Sequence, residues 1–493
     1  MRDEIRRRPS RVASAFSRLL VSSPGRALVH TAAWMLCFDP TGRLAVRGVD
    51  LLTDAFVRLR PGGSTDPRSR WESDIFARAV VDTLGRQLAA GSLSKEFVRK
   101  AGPQWIRGLI GEDGAEARDA FKAEMGVDPP HVLAVAPTGE CNLSCQGCYA
   151  SSSADLAAMP FRDLEKLVEE ARRSWGIRLV VFTGGEPFLY RSGSKGVLDI
   201  AAANPDLLFL IFTNGTLIDD AIARRLVSLG NVTVALSVEG LRESTDARRG
   251  AGTFDAVIRG LQALREAGAW AGISVTVTRG NCEEVYSDEF LDFFFEENSA
   301  FYAFVFQYMP EGRDPDPLLM PTPEQRVWMW ERSWEVIEKR RLVLFDFWNH
   351  ASLVGGCLSA GRERGYLYVD WDGNVMPCVF APYSSCNINE LHALGGSLND
   401  AWASPFLRDI RKWQSRRTAR GGPLVCAGAG GNMMCACPVR DHYADFRAIV
   451  LSNGARPVGP TTGTCLSSAD YTQPMIQYGT DLAHLNNLQP AST

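Results

Sequence analysis

Gly139-Glu140-Cys141-Asn142-Leu143-Ser144-Cys145-Gln146-Gly147-Cys148-Tyr149 decides how this chain is read. The cysteines follow a C-x3-C-x2-C spacing, just after the apolar run His131–Ala136. Three thiolates in so short a loop wrap one metal centre, yet no fourth ligand lies nearby. A structural zinc site needs four protein ligands, so zinc here would have to borrow a distant one. A [4Fe–4S] cluster on three cysteines instead leaves one iron open to a chelating small molecule.

Outward from that loop, short apolar runs alternate with amphipathic stretches. The spacing predicts strands at His131–Ala136, Arg178–Thr183, Leu207–Thr213, Val232–Ser237, Gly272–Thr278 and Phe301–Gln307. It predicts helices over Phe161–Ser174, Phe254–Ala267 and Thr322–Arg340, the last opened by a Thr322/Gln325 capping box with Pro323 at the first helical position. Such alternation argues for βαβ units on a parallel sheet, with function at the carboxyl ends of the strands. Val327, Trp330, Trp334 and Ile337 share a helix face and read as core.

Further motifs close the predicted strands. Gly184-Gly185-Glu186-Pro187 ends the second, Thr213-Asn214-Gly215-Thr216 the third, and Ser237-Val238-Glu239-Gly240 the fourth, with Arg248 and Arg249 shortly after. Gln307 and Tyr308 end the sixth. Each alone is an ordinary turn or strand end. In this order they resemble the radical S-adenosylmethionine (SAM) superfamily over about 180 residues, the triad included.

The resemblance implies an α/β fold. It would be a partial (β/α)6 radical SAM barrel with a helical N-terminal region and a cysteine-rich C-terminal auxiliary-cluster extension. It assigns Cys141, Cys145 and Cys148 to a [4Fe–4S] cluster. SAM would be bound by Tyr149, Gly184, Gly185, Glu186, Asn214, Ser237, Glu239, Arg249 and Gln307. Within that set Glu186 would take the SAM ammonium, Ser237 and Glu239 the ribose, and Arg249 the carboxylate; relatives often carry Asp where this chain has Glu239. The reaction implied is reductive cleavage of SAM to a 5′-deoxyadenosyl radical that abstracts hydrogen from the substrate. Electrons would come from a partner such as flavodoxin or ferredoxin. The catalytic acid or base is not named by any motif.

A second cysteine region follows. Cys357-x15-Gly373-x4-Cys378 resembles the first half of the SPASM/Twitch extensions that carry auxiliary iron–sulfur clusters. Trp371-Asp372-Gly373 reads as a hairpin turn that brings the two cysteines together. The second half departs from the pattern, with Cys426, Cys435 and Cys437 spaced C-x8-C-x1-C, and then Cys465. The expectation is one auxiliary [4Fe–4S] cluster on Cys357 and Cys378, completed from Cys386, Cys426, Cys435 and Cys437. Two clusters, or a structural zinc site, are the alternatives. Cys37 and Cys282 read as ordinary buried thiols.

Residues 1–128 then form a helical region (Phe16, Leu19, Leu20; Phe76, Val80, Leu84), 129–320 the barrel, 321–470 a linker helix with the extension, and 471–493 a polar, loosely ordered tail. The chain has 493 residues, a net charge of −4 and 45% hydrophobic residues, which gives no bias toward nucleic acid. No apolar run is long enough for a transmembrane segment. The arginine-rich start lacks the features of a secretory signal, so a cytoplasmic enzyme is expected. Its twelve cysteines then read as metal ligands rather than a disulfide framework.

Two substrate classes compete. A helical N-terminal region, in place of the winged-helix unit that commonly reads peptides, favours oxidation or bond formation on a small molecule such as a natural-product or lipid intermediate. The alternative is a maturase acting on a ribosomally made precursor peptide. A non-enzymatic iron–sulfur or zinc protein would have four-ligand sites and no SAM motifs, and methyl transfer would need a carrier domain that the sequence lacks.

Overall fold

The computed structural model describes residues 67–101, 114–418 and 433–488. The Phe16/Leu19/Leu20 stripe, the basic start, Cys37 and Cys426 lie outside them. Six predicted strands form within a residue or two of their expected limits: β1 (Val132–Thr138), β2 (Leu179–Gly184), β3 (Leu208–Thr213), β4 (Val232–Val238), β5 (Ala271–Val277) and β6 (Tyr302–Gln307). They pair side by side in chain order, all parallel. Val180, Phe182, Phe209, Ile211, Val234 and Ile273 are fully buried, as strands covered on both faces require. Crossover helices α2 (Phe161–Trp175), α3 (Asp220–Leu229) and α4 (Thr253–Ala267) supply that cover.

The parallel set is larger than six. β7 (Val343–Asp346) adds to β6. β8 (Tyr366–Val369) pairs parallel with β1 at the opposite edge. β9 (Asn374–Met376) folds back antiparallel on β8 through the expected turn, where Gly373 sits at φ +87°. The short strand Cys386–Asn387 completes a ten-stranded sheet. A four-residue apolar run without flanking turn residues does not separate from the helix before it, so β7 carries no strand signal in the sequence.

Ahead of the sheet, α1 (Pro67–Ala90) lays Ile75 and Ala79 into the core. The linker helix α5 spans Pro323–Glu335 and carries the predicted capping box: Thr322 Oγ1 accepts from Gln325 N at 3.2 Å, and Gln325 Oε1 from Thr322 N at 2.9 Å. It stops short of Arg340, continuing as one wider turn over Val336–Arg340. Its apolar stripe is buried as expected.

The tail differs from expectation. Ala469–Leu488 is a 20-residue helix, here α7, packed against α6 (Tyr443–Ser452). Tyr471, Met475, Tyr478 and Leu482 form its buried face. Their 4-3-4 spacing is the helical signal that the polar residues between them hid. Among the described residues no helix is long and apolar enough to cross a membrane.

A buried ion pair joins the linker helix to the cysteine-bearing segment after it. Arg326 Nη1 lies 2.6 Å from Asp441 Oδ1, both side chains fully buried. Asp441 also accepts from Arg440 Nε at 3.2 Å and from the Cys437 N–H at 3.0 Å. Removing one member of such a pair leaves an uncompensated buried charge. Asp441→Ala is therefore expected to lower stability by about 3–5 kcal/mol, read as the shift of the denaturant midpoint.

Candidate functional site

The triad loop leaves the carboxyl end of β1 and is fastened to the end of β2. Gly185 N donates to Thr138 O at 3.0 Å and Glu186 N to Glu140 O at 2.7 Å. A Cβ on Gly185 would stand 2.0 Å from the Glu140 carbonyl oxygen, and Gly184 holds φ +105°. The Gly-Gly pair is thus demanded by close backbone approach. On its other side the loop is gripped by Arg313, whose Nη1 donates to Cys145 O at 2.8 Å and whose N donates to Cys148 O at 2.9 Å.

Cys141, Cys145 and Cys148 open into a cavity of about 320 Å³. Tyr149, Gly184, Gly185, Asn214, Ser237, Arg249 and Gln307 line it with them, so seven of the nine expected contact residues reach one space. Phe212, Phe304, Phe306, Phe347 and Phe380 supply an apolar wall, with Phe380 packed edge-on against Tyr149 at 5.3 Å. Asn214 Nδ2 is 3.9 Å from Cys141 Sγ and 2.8 Å from Asn142 Oδ1. Burial pushes the Cys141 thiol up to about 11. It holds its proton until a metal displaces it.

The two acidic residues of the expected set do not line the cavity. Glu186 is buried, and three donors take up its carboxylate: Thr213 Oγ1 at 2.7 Å, Asn214 N at 2.7 Å and Phe188 N at 3.0 Å. It clamps the β2 loop to the end of β3, leaving the Gly184-Gly185 backbone as the exposed edge. Glu239 is likewise internal. It accepts from Arg248 Nη1 at 2.5 Å, Arg249 Nε at 2.7 Å and Thr276 N at 3.2 Å. Ser237 does face the cavity and pairs with Ser274 at 3.1 Å. The alternation that puts Ser237 and Glu239 on one side of an extended chain fails because β4 ends at Val238. Gln307 is held from behind: it donates to Asp346 at 3.1 Å and accepts from Arg440 Nη1 at 2.7 Å. No sequence motif announced Asp346 or Arg440.

Cys357, Cys378 and Cys437 line a second, smaller cavity with Phe345 of β7, Phe347 just after it and Tyr366 of β8. Tyr366 Oη lies 2.8 Å from Cys378 Sγ. Two of the other expected ligands are elsewhere. The groups acting on the Cys386 thiol are Ser385, Arg456 and Glu390, and it does not line this cavity. Cys435 is buried in a separate cluster with Cys465, Tyr443 and Tyr471 and is disulfide-bonded, against the expectation that it serves as a metal ligand. A single residue between Cys435 and Cys437 turns the two side chains into different surroundings. Among the described residues no three His, Cys, Asp or Glu side chains close around a single bare ion, the triad included. Thiols spread around a cavity suit a multi-iron group.

The close approach at Gly185 gives a direct test. Gly185→Ala is expected to force the β2 loop off Glu140 and to lower iron bound at the triad several-fold. Gly280→Ala, whose Cβ meets nothing nearer than 3.9 Å, is expected to leave it unchanged. Iron analysis and visible absorbance of anaerobically reconstituted protein read the difference.

Two family models match the chain: the radical SAM superfamily over residues 135–285 and an iron–sulfur cluster-binding domain, SPASM, over 357–427. The mycofactocin maturase MftC of Mycobacterium tuberculosis is 31% identical over 303 residues, covering 59% of this chain and 75% of the relative. An AdoMet-dependent heme synthase of Methanosarcina barkeri is 26% identical over 290 residues, covering 53% and 80%. Streptococcus suis SuiB, solved bound to precursor peptide SuiA, superposes with a TM-score of 0.52 at 19% identity, covering 67% of this chain and 77% of SuiB, and so shares the fold. A triad opening into a cavity at the carboxyl ends of parallel strands, both family matches and the MftC similarity lead to one assignment: the chain is a radical SAM enzyme with a SPASM iron–sulfur extension.

Proposed function

We propose that the chain is a maturase that oxidises or cross-links a ribosomally made peptide. The observation that carries this reading is the 31% identity to mycofactocin maturase over three quarters of that relative's length. It outweighs the preference for a small molecule drawn from the helical N-terminal region. The small-molecule reading keeps its own support, a 26% identity to a heme synthase, and stands second.

In this reading Cys141, Cys145 and Cys148 would hold a [4Fe–4S] cluster whose fourth iron is open to SAM. Cluster and SAM together supply a one-electron cleavage that yields a hydrogen-abstracting radical. The chain supplies everything else. The backbone of Gly184 and Gly185 and the amide of Asn214 would hold the amino-acid end of SAM, Arg249 would neutralise its carboxylate, and Ser237 would take the ribose. Glu239 fixes the two arginines rather than touching sugar, and Glu186 fixes the loop. Tyr149, Gln307 and the phenylalanine wall close the cavity against water. Cys357, Cys378 and Cys437 would hold an auxiliary cluster in the cavity they line with Phe345, Phe347 and Tyr366. A reducing protein such as flavodoxin or ferredoxin delivers the electron, in a cytoplasmic setting where thiolates stay reduced.

Replacing Cys141, Cys145 and Cys148 together by Ala is expected to abolish 5′-deoxyadenosine formation under reducing, anaerobic conditions. A wild-type rate would defeat the assignment of the triad. Arg249→Gln is expected to weaken SAM binding about tenfold or more, given the 1.5–3 kcal/mol of a charge-assisted contact. For the substrate, short peptides encoded beside the gene are to be incubated with reconstituted enzyme, SAM and reductant. A peptide mass change in step with 5′-deoxyadenosine supports the maturase. Turnover stimulated only by small-molecule extract would move the assignment to the second reading.

A further inference from the structure

The two cavities share a wall. Phe345, Phe347, Leu358, Tyr366 and Phe380 line both, so the chamber of Cys357, Cys378 and Cys437 stands one side chain away from the triad cavity. Among these five, Tyr366 alone carries a polar side-chain atom. Its backbone is fixed on both sides: its N donates to Leu358 O at 2.8 Å, and its O accepts from Gly361 N at 2.8 Å. That anchorage holds the ring in the wall, with the hydroxyl 2.8 Å from Cys378 Sγ. The Phe380 N–H reaches the same sulfur at 3.4 Å. A second hydroxyl serves Cys357: buried Ser359 Oγ lies 3.1 Å from its Sγ. Gln414 Nε2 donates to that hydroxyl at 3.1 Å, which leaves the single Ser359 proton free for the sulfur. A thiolate bound to iron has no proton of its own, so both hydroxyls then act as donors.

We propose that the Tyr366 and Ser359 hydroxyls set the reduction potential of the auxiliary iron–sulfur centre, by donating hydrogen bonds to its Cys378 and Cys357 thiolates. The inference rests on the reading that these cysteines hold that centre, and adds two residues that are not ligands. Reduction gives the cluster one more negative charge. A donor aimed at a sulfur stabilises the more negative form, so it raises the potential. The apolar wall works in the opposite direction, because excluding water penalises the added charge. The two hydroxyls offset that penalty at the sulfurs themselves and leave the chamber dry. Both act through the thiolates, as positioning residues around the ligands.

The test uses full-length protein reconstituted anaerobically with iron and sulfide, as wild type, Tyr366→Phe and Ser359→Ala. Each substitution removes one oxygen atom and keeps the carbon packing. Iron is counted, and the midpoint of each centre is read by redox titration followed by electron paramagnetic resonance. The same titration with Cys141, Cys145 and Cys148 replaced by Ala assigns the auxiliary signal. Each variant is expected to keep the wild-type iron count and to lower the auxiliary midpoint by about 59 mV, a tenfold change in the ratio of oxidised to reduced centre. The triad midpoint, read in the same sample, is expected not to move. An auxiliary midpoint equal to wild type overturns the proposal for that hydroxyl, and in both variants overturns it altogether while the centre stands. If the protein without the triad holds no iron, the underlying reading falls instead. Should one variant lose its auxiliary cluster, the other decides by the same comparison. Should both lose it, electron–nuclear double resonance of the wild-type centre in deuterated water decides: coupled exchangeable deuterons support the proposal, and their absence overturns it.

Discussion

The carboxylate of Asp441 is the point on which the two halves of this molecule are hung. It takes hydrogen bonds from Arg326 on the linker helix, from Arg440 beside it and from the backbone of Cys437. Arg440 in turn holds Gln307 at the cavity wall. Each of these charges would be prohibitively costly in the interior alone. Together they fix three things at once: the position of α5, the path of the cysteine segment and the side chain at the end of β6. The sulfur-bearing extension is thereby registered against the barrel through polar contacts that tolerate little displacement.

The same economy of charge operates on the triad side. Glu239 gathers Arg248 and Arg249, and Arg248 also donates to the Gln146 and Gly147 carbonyls inside the cysteine loop. One buried acid thus orients the cationic rim of the cavity, and the rim orients the loop. Glu186 performs a parallel task between β2 and β3. Both acids serve as scaffolding for groups that face the cavity, and neither faces it.

Much of this was legible from the chain. Strand–helix alternation gave β1 to β6 because fully buried strands read as unbroken apolar runs, and C-x3-C-x2-C gave the metal loop because thiolate spacing is local. What could not be read depended on distance. Nothing near Glu239 says that two arginines ten residues on will claim its carboxylate. Nothing near Tyr366 says that it will pair with β1 rather than begin a separate unit. Cys386 looks like a ligand by proximity in sequence, yet its strand turns it toward Arg456. The α7 stripe was present in the sequence but diluted by Asn, Gln and Thr.

The pairing of β8 with β1 has a consequence for the life of the protein on the ribosome. Val132 to Val135 emerge early, but the strand that covers their free edge is made only at Tyr366 to Val369. Until Tyr366 is made, the strand that carries the triad loop lacks its partner on that edge, and an unpaired edge is the kind that recruits other chains. The loop is meanwhile open on the side later occupied by the extension. A chain stalled short of β8 therefore leaves the β1 edge without the partner that covers it in the finished sheet.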